Sequence, residues 1–177
     1  MSGRAKNIAA LKGFSRVTEV SGGVSALPRV KAGLMLFGKK KRLIERVLIV
    51  EDEPLVAFDT EHFLGAEGFQ IVATVDSVVD ALAAIGSGAA IELVLVDVNL
   101  SDGSGVDVAR AAHAAGIQVL FVTGNCPGEA KSLAAGCLSK PYSPRDLLAA
   151  IGAIEAVTGG MDPKRLPTGF SLFRSAA

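Results

Sequence analysis

Leu93-Val94-Leu95-Val96-Asp97 is a run of four apolar residues stopped by a carboxylate. A continuous apolar run of this length is the pattern of a strand covered on both faces, as in a parallel sheet whose two sides are both packed against helices. Working outward, Val47-Leu48-Ile49-Val50, Gln70 to Val75, Gln118 to Val122 and Cys137-Leu138 read as four further strands. Between them Leu55 to Glu67, Val78 to Ile85, Val106 to Ala115 and Arg145 to Val157 place apolar residues at spacings that give a helix one buried face. Start signals agree: Ser77 with Asp80 and Ser143 with Asp146 match a capping box, the second with Pro144 at the first helical position. Gly68 and Gly116 stand where helices should stop. Strands alternating with helices predict an α/β fold, a doubly wound, five-stranded parallel sheet with helices on both faces.

The predicted domain spans residues 46–157. Residues 1–45, rich in Ser, Gly, Lys and Arg with no sustained period, are expected to be a disordered basic leader. Their acid-poor character also resembles a transit peptide, and Met35 is an alternative start of translation. Residues 158–177, with Gly159-Gly160, Pro163 and Pro167, read as a flexible tail. The formal net charge of zero hides a split: residues 1–46 hold eleven Lys or Arg against two acids, and the rest carries a matching excess of acids. An acidic domain gains little from a phosphate backbone, so no nucleic-acid partner is expected, and Lys39 to Arg42 reads as a solvated linker. The longest apolar stretches fall short of the ~20 residues that cross a bilayer, so no membrane insertion is expected. Cys126 and Cys137 have neither the number nor the spacing of a zinc site or disulfide framework, which fits a reduced, cytoplasmic protein. His62 and His113 fall on helices away from the strand ends.

In an open α/β sheet ligands bind beyond the carboxyl ends of the strands. Glu51-Asp52-Glu53 follows the first strand, Asp97 the third, Thr123 the fourth and Lys140 the fifth. In the order 2-1-3-4-5 these four strands are neighbours and their ends converge. Each group alone has a plain explanation: acids favoured at a helix N-terminus, a turn-forming Asp, a solvated hydroxyl and a solvated amine. Together, four suitable groups at four strand ends point to a site. Crowded carboxylates repel, and a hard divalent cation relieves this; Mg²⁺ takes oxygen ligands. Direct ligation is assigned to Asp52, Asp97 and the backbone carbonyl of Asn99, with the longer Glu51 acting through water. Phosphoryl transfer needs position and charge neutralisation. Asp97 supplies the attacking oxygen, and Mg²⁺, the Lys140 ammonium and the Thr123 hydroxyl each meet one phosphoryl oxygen.

Val47 to Pro54, Leu93 to Gly103, Thr123 and Ser139-Lys140-Pro141-Tyr142 resemble the response-regulator receiver domain family, CheY-like, over about residues 46 to 157. The resemblance implies a flavodoxin-like sheet of order 2-1-3-4-5 and a phosphohistidine donor on a sensor histidine kinase or phosphotransfer protein. It also implies a cis-favouring Pro141 after Lys140 and a phosphoprotein of two-component or phosphorelay signalling that acts through a downstream regulator protein. The segment from Thr123 to Lys140 is several residues shorter than the family usually has, so the fourth helix is expected to be reduced. Phe121-Val122-Thr123-Gly124 resembles the FATGUY subfamily of stand-alone receivers. Cys137 stands where many receivers have an aromatic switch residue, which puts that switch in doubt, and Ser101 replaces a common Pro. The alternative reading is a receiver-like module that binds proteins without being phosphorylated. A flavin-binding module would need a Ser/Thr/Gly-rich loop where Glu51-Asp52-Glu53 stands. A haloacid-dehalogenase-type phosphatase would need a second Asp at Asn99.

Overall fold

A computed structural model describes residues 42–173. In chain order the elements are β1 (Arg46–Val50), α1 (Pro54–Ala66), β2 (Gln70–Val75), α2 (Val78–Gly86), β3 (Leu93–Val96), β4 (Asn99–Leu100) and β5 (Gly103–Ser104). They continue as α3 (Gly105–Ala114), β6 (Gln118–Thr123), α4 (Ala130–Leu133), β7 (Gly136–Ser139), α5 (Pro144–Thr158) and β8 (Phe170–Leu172). The main sheet has the order β2-β1-β3-β6-β7-β8, and β4 and β5 form a separate two-stranded hairpin. Strands β2, β1, β3, β6 and β7 run parallel, which is the expected order 2-1-3-4-5 counted along the main sheet.

Alternation along the strands splits the core into two layers. Val47 and Ile49 of β1 and Leu93 and Leu95 of β3 face one cluster with Leu64 of α1 and Leu147, Ile151 and Ile154 of α5. Leu48, Val50, Val94 and Val96 face the other with Ala81 of α2 and Val108 and Ala112 of α3. Because both faces are covered, the strands need no polar positions, which explains the unbroken apolar runs. Each fully buried Leu or Ile contributes roughly 1.5–3 kcal/mol of transfer free energy.

Caps set the helix starts. The Ser77 hydroxyl accepts from the Asp80 N–H, and Ser143 with Asp146 forms the reciprocal box, with Pro144 in the first turn. The fourth helix is short, four residues from Ala130 to Leu133. The Lys140–Pro141 bond is cis, as the resemblance implied.

Two features differ from the sequence reading. The tail is not loose throughout: β8 adds a sixth strand, antiparallel to β7, with Leu138 opposite Phe170 and Gly136 opposite Leu172. A three-residue strand is too short to show alternation, and the surrounding Gly and Pro hid it. Its anchor is Phe170, buried over Gly136, where a Cβ would stand 2.5 Å from the ring. Secondly, order begins ahead of residue 46. One carboxylate oxygen of Glu155 on α5 accepts from the backbone N–H groups of Leu43 and Ile44, and Ile44 is 2% exposed. The Arg42 guanidinium lies 4.1 Å from the centre of the Phe69 ring and donates to the Glu67 carbonyl, so this residue is packed, not a solvated linker. The rest of the expected leader, with Met35 and Lys39 to Lys41, lies outside the described residues. Among the described residues no helix is long and apolar enough to cross a membrane.

Candidate functional site

Backbone ladders carry the strand ends together before any side chain is considered. The Glu51 N–H donates to the Val75 carbonyl, the Asp97 N–H to Val50 and the Lys140 N–H to Thr123. Each bond extends pairing just past the regular strand, so Glu51, Asp97, Thr123 and Lys140 leave the sheet side by side. The turn after β3 is also pinned from behind. The Gly105 N–H donates to the Val98 carbonyl, and its α-carbon lies so near the Asp97 backbone that a Cβ would come within 1.8 Å of the Asp97 carbonyl oxygen. Only glycine fits there.

Lys140 Nζ lies 2.7 Å from Glu51 Oε2, 2.7 Å from Asp97 Oδ2 and 3.7 Å from Glu53 Oε1. Glu51 and Asp97 are buried, while Glu53 is exposed. Asp97 Oδ1 accepts from the Asn99 N–H at 3.1 Å, which fixes the carboxylate plane and leaves Oδ2 to the lysine. Burial raises the Glu51 pKa; Lys140 pulls it down and Asp97 pushes it further up, and the net direction is upward. Burial works against the Lys140 charge, but the Asp97 and Glu51 carboxylates outweigh it and hold the ammonium above the usual lysine range. The Thr123 side chain is fully buried and its hydroxyl has no partner among the described residues. An unsatisfied buried hydroxyl costs roughly 1–3 kcal/mol.

Three of the residues selected from sequence meet through their side chains, Glu51, Asp97 and Lys140, and Thr123 adjoins them through its backbone carbonyl, which accepts from the Lys140 N–H. Asn99 adjoins them through its backbone. Asp52, with Asp76, Asp80 and Glu51, lines an adjoining cavity of about 310 Å³. Glu53, to which the sequence reading gave no role, joins the cluster instead: carboxylate oxygens of Glu51, Glu53 and Asp97 lie within 4.8 Å of one another. His62 stacks on Phe58 along α1, away from the cluster, as its position in the sequence implied.

Three carboxylates against one ammonium leave a negative excess, and every candidate donor is an oxygen. Such a set is capable of holding a hard divalent cation.

Comparison with known proteins agrees with this geometry. Residues 47–152 match the family described as "Response regulator receiver domain". The chain is 30% identical over 133 residues to the cell cycle transcriptional regulator CtrA of Caulobacter vibrioides, covering 70% of this chain and 56% of that protein. It thus spans about half the length of that relative. A receiver domain (CheY-like) from Methylobacillus flagellatus is 29% identical, with a TM-score of 0.56 over 63% of this chain and 99% of that one. One from Methanospirillum hungatei JF-1 is 28% identical, with a TM-score of 0.57 over 62% and 91%.

Proposed function

The chain belongs to the response regulator receiver domain family, and from that premise we propose that it accepts a phosphoryl group on Asp97. The observation that carries the reading is the double contact of Lys140 Nζ, 2.7 Å from both Glu51 and Asp97. It puts a positive charge beside a buried carboxylate whose second oxygen is already oriented by a backbone N–H. Asp97 attacks phosphorus in line with the leaving group, and the transferred group carries its charge on three outer oxygens. Lys140 turns from Asp97 to one of those oxygens, and the Thr123 hydroxyl donates to another. Asp52, Asp97 and the Asn99 carbonyl, with Glu51 through water, would hold Mg²⁺; Glu53 is a further candidate. When bound, that ion supplies the positive charge that offsets the carboxylates and the incoming phosphoryl group.

The donor is a phosphohistidine on a sensor histidine kinase or phosphotransfer protein. The phosphorylated form acts by changing affinity for a downstream regulator protein. The four-residue α4 and the Phe121-Val122-Thr123-Gly124 sequence support a place in the FATGUY subfamily of stand-alone receivers. Intact mass after incubation with Mg²⁺ and acetyl phosphate tests the reading. One phosphoryl group on the wild type and none on Asp97→Asn is expected. No adduct on the wild type, from acetyl phosphate or from a phosphorylated kinase, would favour a module that binds partners without phosphorylation.

A further inference from the structure

The hairpin that follows Asp97 is fastened at its tip to a helix from another part of the chain. Asn99 pairs with Ser104 and Leu100 with Gly103, so Ser101 and Asp102 make the two-residue turn between β4 and β5. Both carboxylate oxygens of Asp102 accept from the Val78 N–H at 2.9 Å, and one accepts from the Val79 N–H at 3.4 Å. Val78 and Val79 are the first two residues of α2, and their N–H groups have no acceptor inside the helix. The N–H of the third, Asp80, donates to the Ser77 hydroxyl. The start of α2 is therefore capped twice, once by its own neighbour and once by a carboxylate 24 positions further along the chain. The helix dipole favours a negative charge at that end.

Packing joins the same two elements. Leu100 is buried in the apolar cluster against which Val78 packs, and a Cβ on Gly103 would stand 3.2 Å from the Val78 side chain. At its base the hairpin is closed by the Gly105 N–H, which donates to the Val98 carbonyl. Asn99 lies between these two ties. Its N–H donates to Asp97 Oδ1, and its carbonyl is the backbone oxygen assigned to the cation. A hairpin of two residue pairs has little stiffness of its own, so the tie at its tip governs where Asn99 stands.

We propose that Asp102 is a positioning residue: by fastening the hairpin to α2 it holds Asn99, whose N–H orients Asp97 and whose carbonyl meets the divalent cation. The cation half rests on the Asp97 reading; the hold on the Asn99 N–H does not.

The test titrates Mg²⁺ into the full chain by calorimetry, well below the melting temperature of every variant. Asp102→Ala removes the tie, whereas Asp102→Asn keeps an acceptor oxygen and loses only the charge. Ser87→Ala loosens the far end of α2, where the Ser87 hydroxyl donates to the Ala84 carbonyl, and leaves the hairpin alone. Mg²⁺ affinity is expected to be about threefold to tenfold weaker in Asp102→Ala, near wild type in Asp102→Asn and unchanged in Ser87→Ala. In the metal-free chain, NMR should show the Asn99 N–H exchanging with water several-fold faster in Asp102→Ala and at the wild-type rate in the other two. Wild-type Mg²⁺ affinity in Asp102→Ala would overturn the proposal. An equal loss in Asp102→Asn would overturn it as a charge effect, and an equal loss in Ser87→Ala as a general softening of α2. A wild type that binds no Mg²⁺ would defeat the cation part of the Asp97 reading. The hold on Asn99 is then decided by the exchange rates alone, and equal rates in wild type and Asp102→Ala would overturn it.

Discussion

Lys140 Nζ and Asp97 Oδ2 lie 2.7 Å apart, although the two residues are separated by 43 positions in the chain. The contact joins the ends of two strands that are not neighbours, since β6 runs between β3 and β7. Replacing Lys140 by Met keeps much of the side chain's length and removes the ammonium. Phosphoryl acceptance by Lys140→Met should fall by about tenfold to a hundredfold, the weight of one or two charge-assisted hydrogen bonds. Rates of adduct formation by intact mass check this.

The same pair sets a pH dependence. Lys140 is held above its ordinary value by Asp97 and Glu51 against the cost of burial, so its protonated form is favoured in the folded chain. A raised lysine contributes stability that is fully present below its unfolded pKa, about 10.4, and lost as pH climbs above that toward the folded value. Wild type should therefore lose stability above about pH 10 more steeply than Lys140→Met, as read from urea midpoints.

Glu51 has the opposite sense. Its pKa is raised, chiefly by burial, so the folded state disfavours its charge. The penalty is absent below its unfolded pKa of about 4.3 and develops as pH rises past it. Glu51→Gln should raise the melting temperature at neutral pH and bring no gain near pH 4. It should also weaken any divalent-cation protection of the fold, measured by melting with and without millimolar Mg²⁺.

Two glycines should respond in opposite directions to alanine. At Gly105 the added methyl meets the Asp97 carbonyl oxygen and the Val96 side chain, so Gly105→Ala should cost roughly 3 kcal/mol or more and lower phosphoryl acceptance. At Gly65, on the exposed side of α1, nothing lies within 4 Å of the added methyl. Gly65→Ala should stabilise by about 0.5–1 kcal/mol through helix propensity. Urea denaturation of both variants measures the contrast.

Thr123 separates chemistry from stability. Its buried hydroxyl makes no hydrogen bond among the described residues, so Thr123→Val should leave the melting temperature equal or higher. If the hydroxyl meets a phosphoryl oxygen, the same variant should accept the group about tenfold more slowly.

The sheet and the convergence at its carboxyl edge were legible because burial on both faces writes itself as unbroken apolar runs, and each such run ends in a polar group. Val47 to Val50 before Glu51 and Leu93 to Val96 before Asp97 show this plainly. Side-chain direction after the strand was not legible. Glu51, Asp52 and Glu53 are chemically alike, and which of them joins Asp97 depends on how the turn into α1 is wound; the structure brings carboxylate oxygens of Glu51 and Glu53 close to Asp97, while Asp52 lines the adjoining cavity with Glu51, Asp76 and Asp80. β8 was hidden for a different reason. Its docking depends on Phe170 meeting a bare Gly136 more than thirty residues earlier, and nothing local records that match.

The most direct test of the account is to locate the phosphoryl group. After treatment with Mg²⁺ and acetyl phosphate, borohydride reduces an aspartyl phosphate to homoserine, and peptide mapping reads the position. The account predicts homoserine at position 97 and at no other Asp. Conversion at Asp52, or an unmodified Asp97 in a chain that carries the adduct, would contradict it.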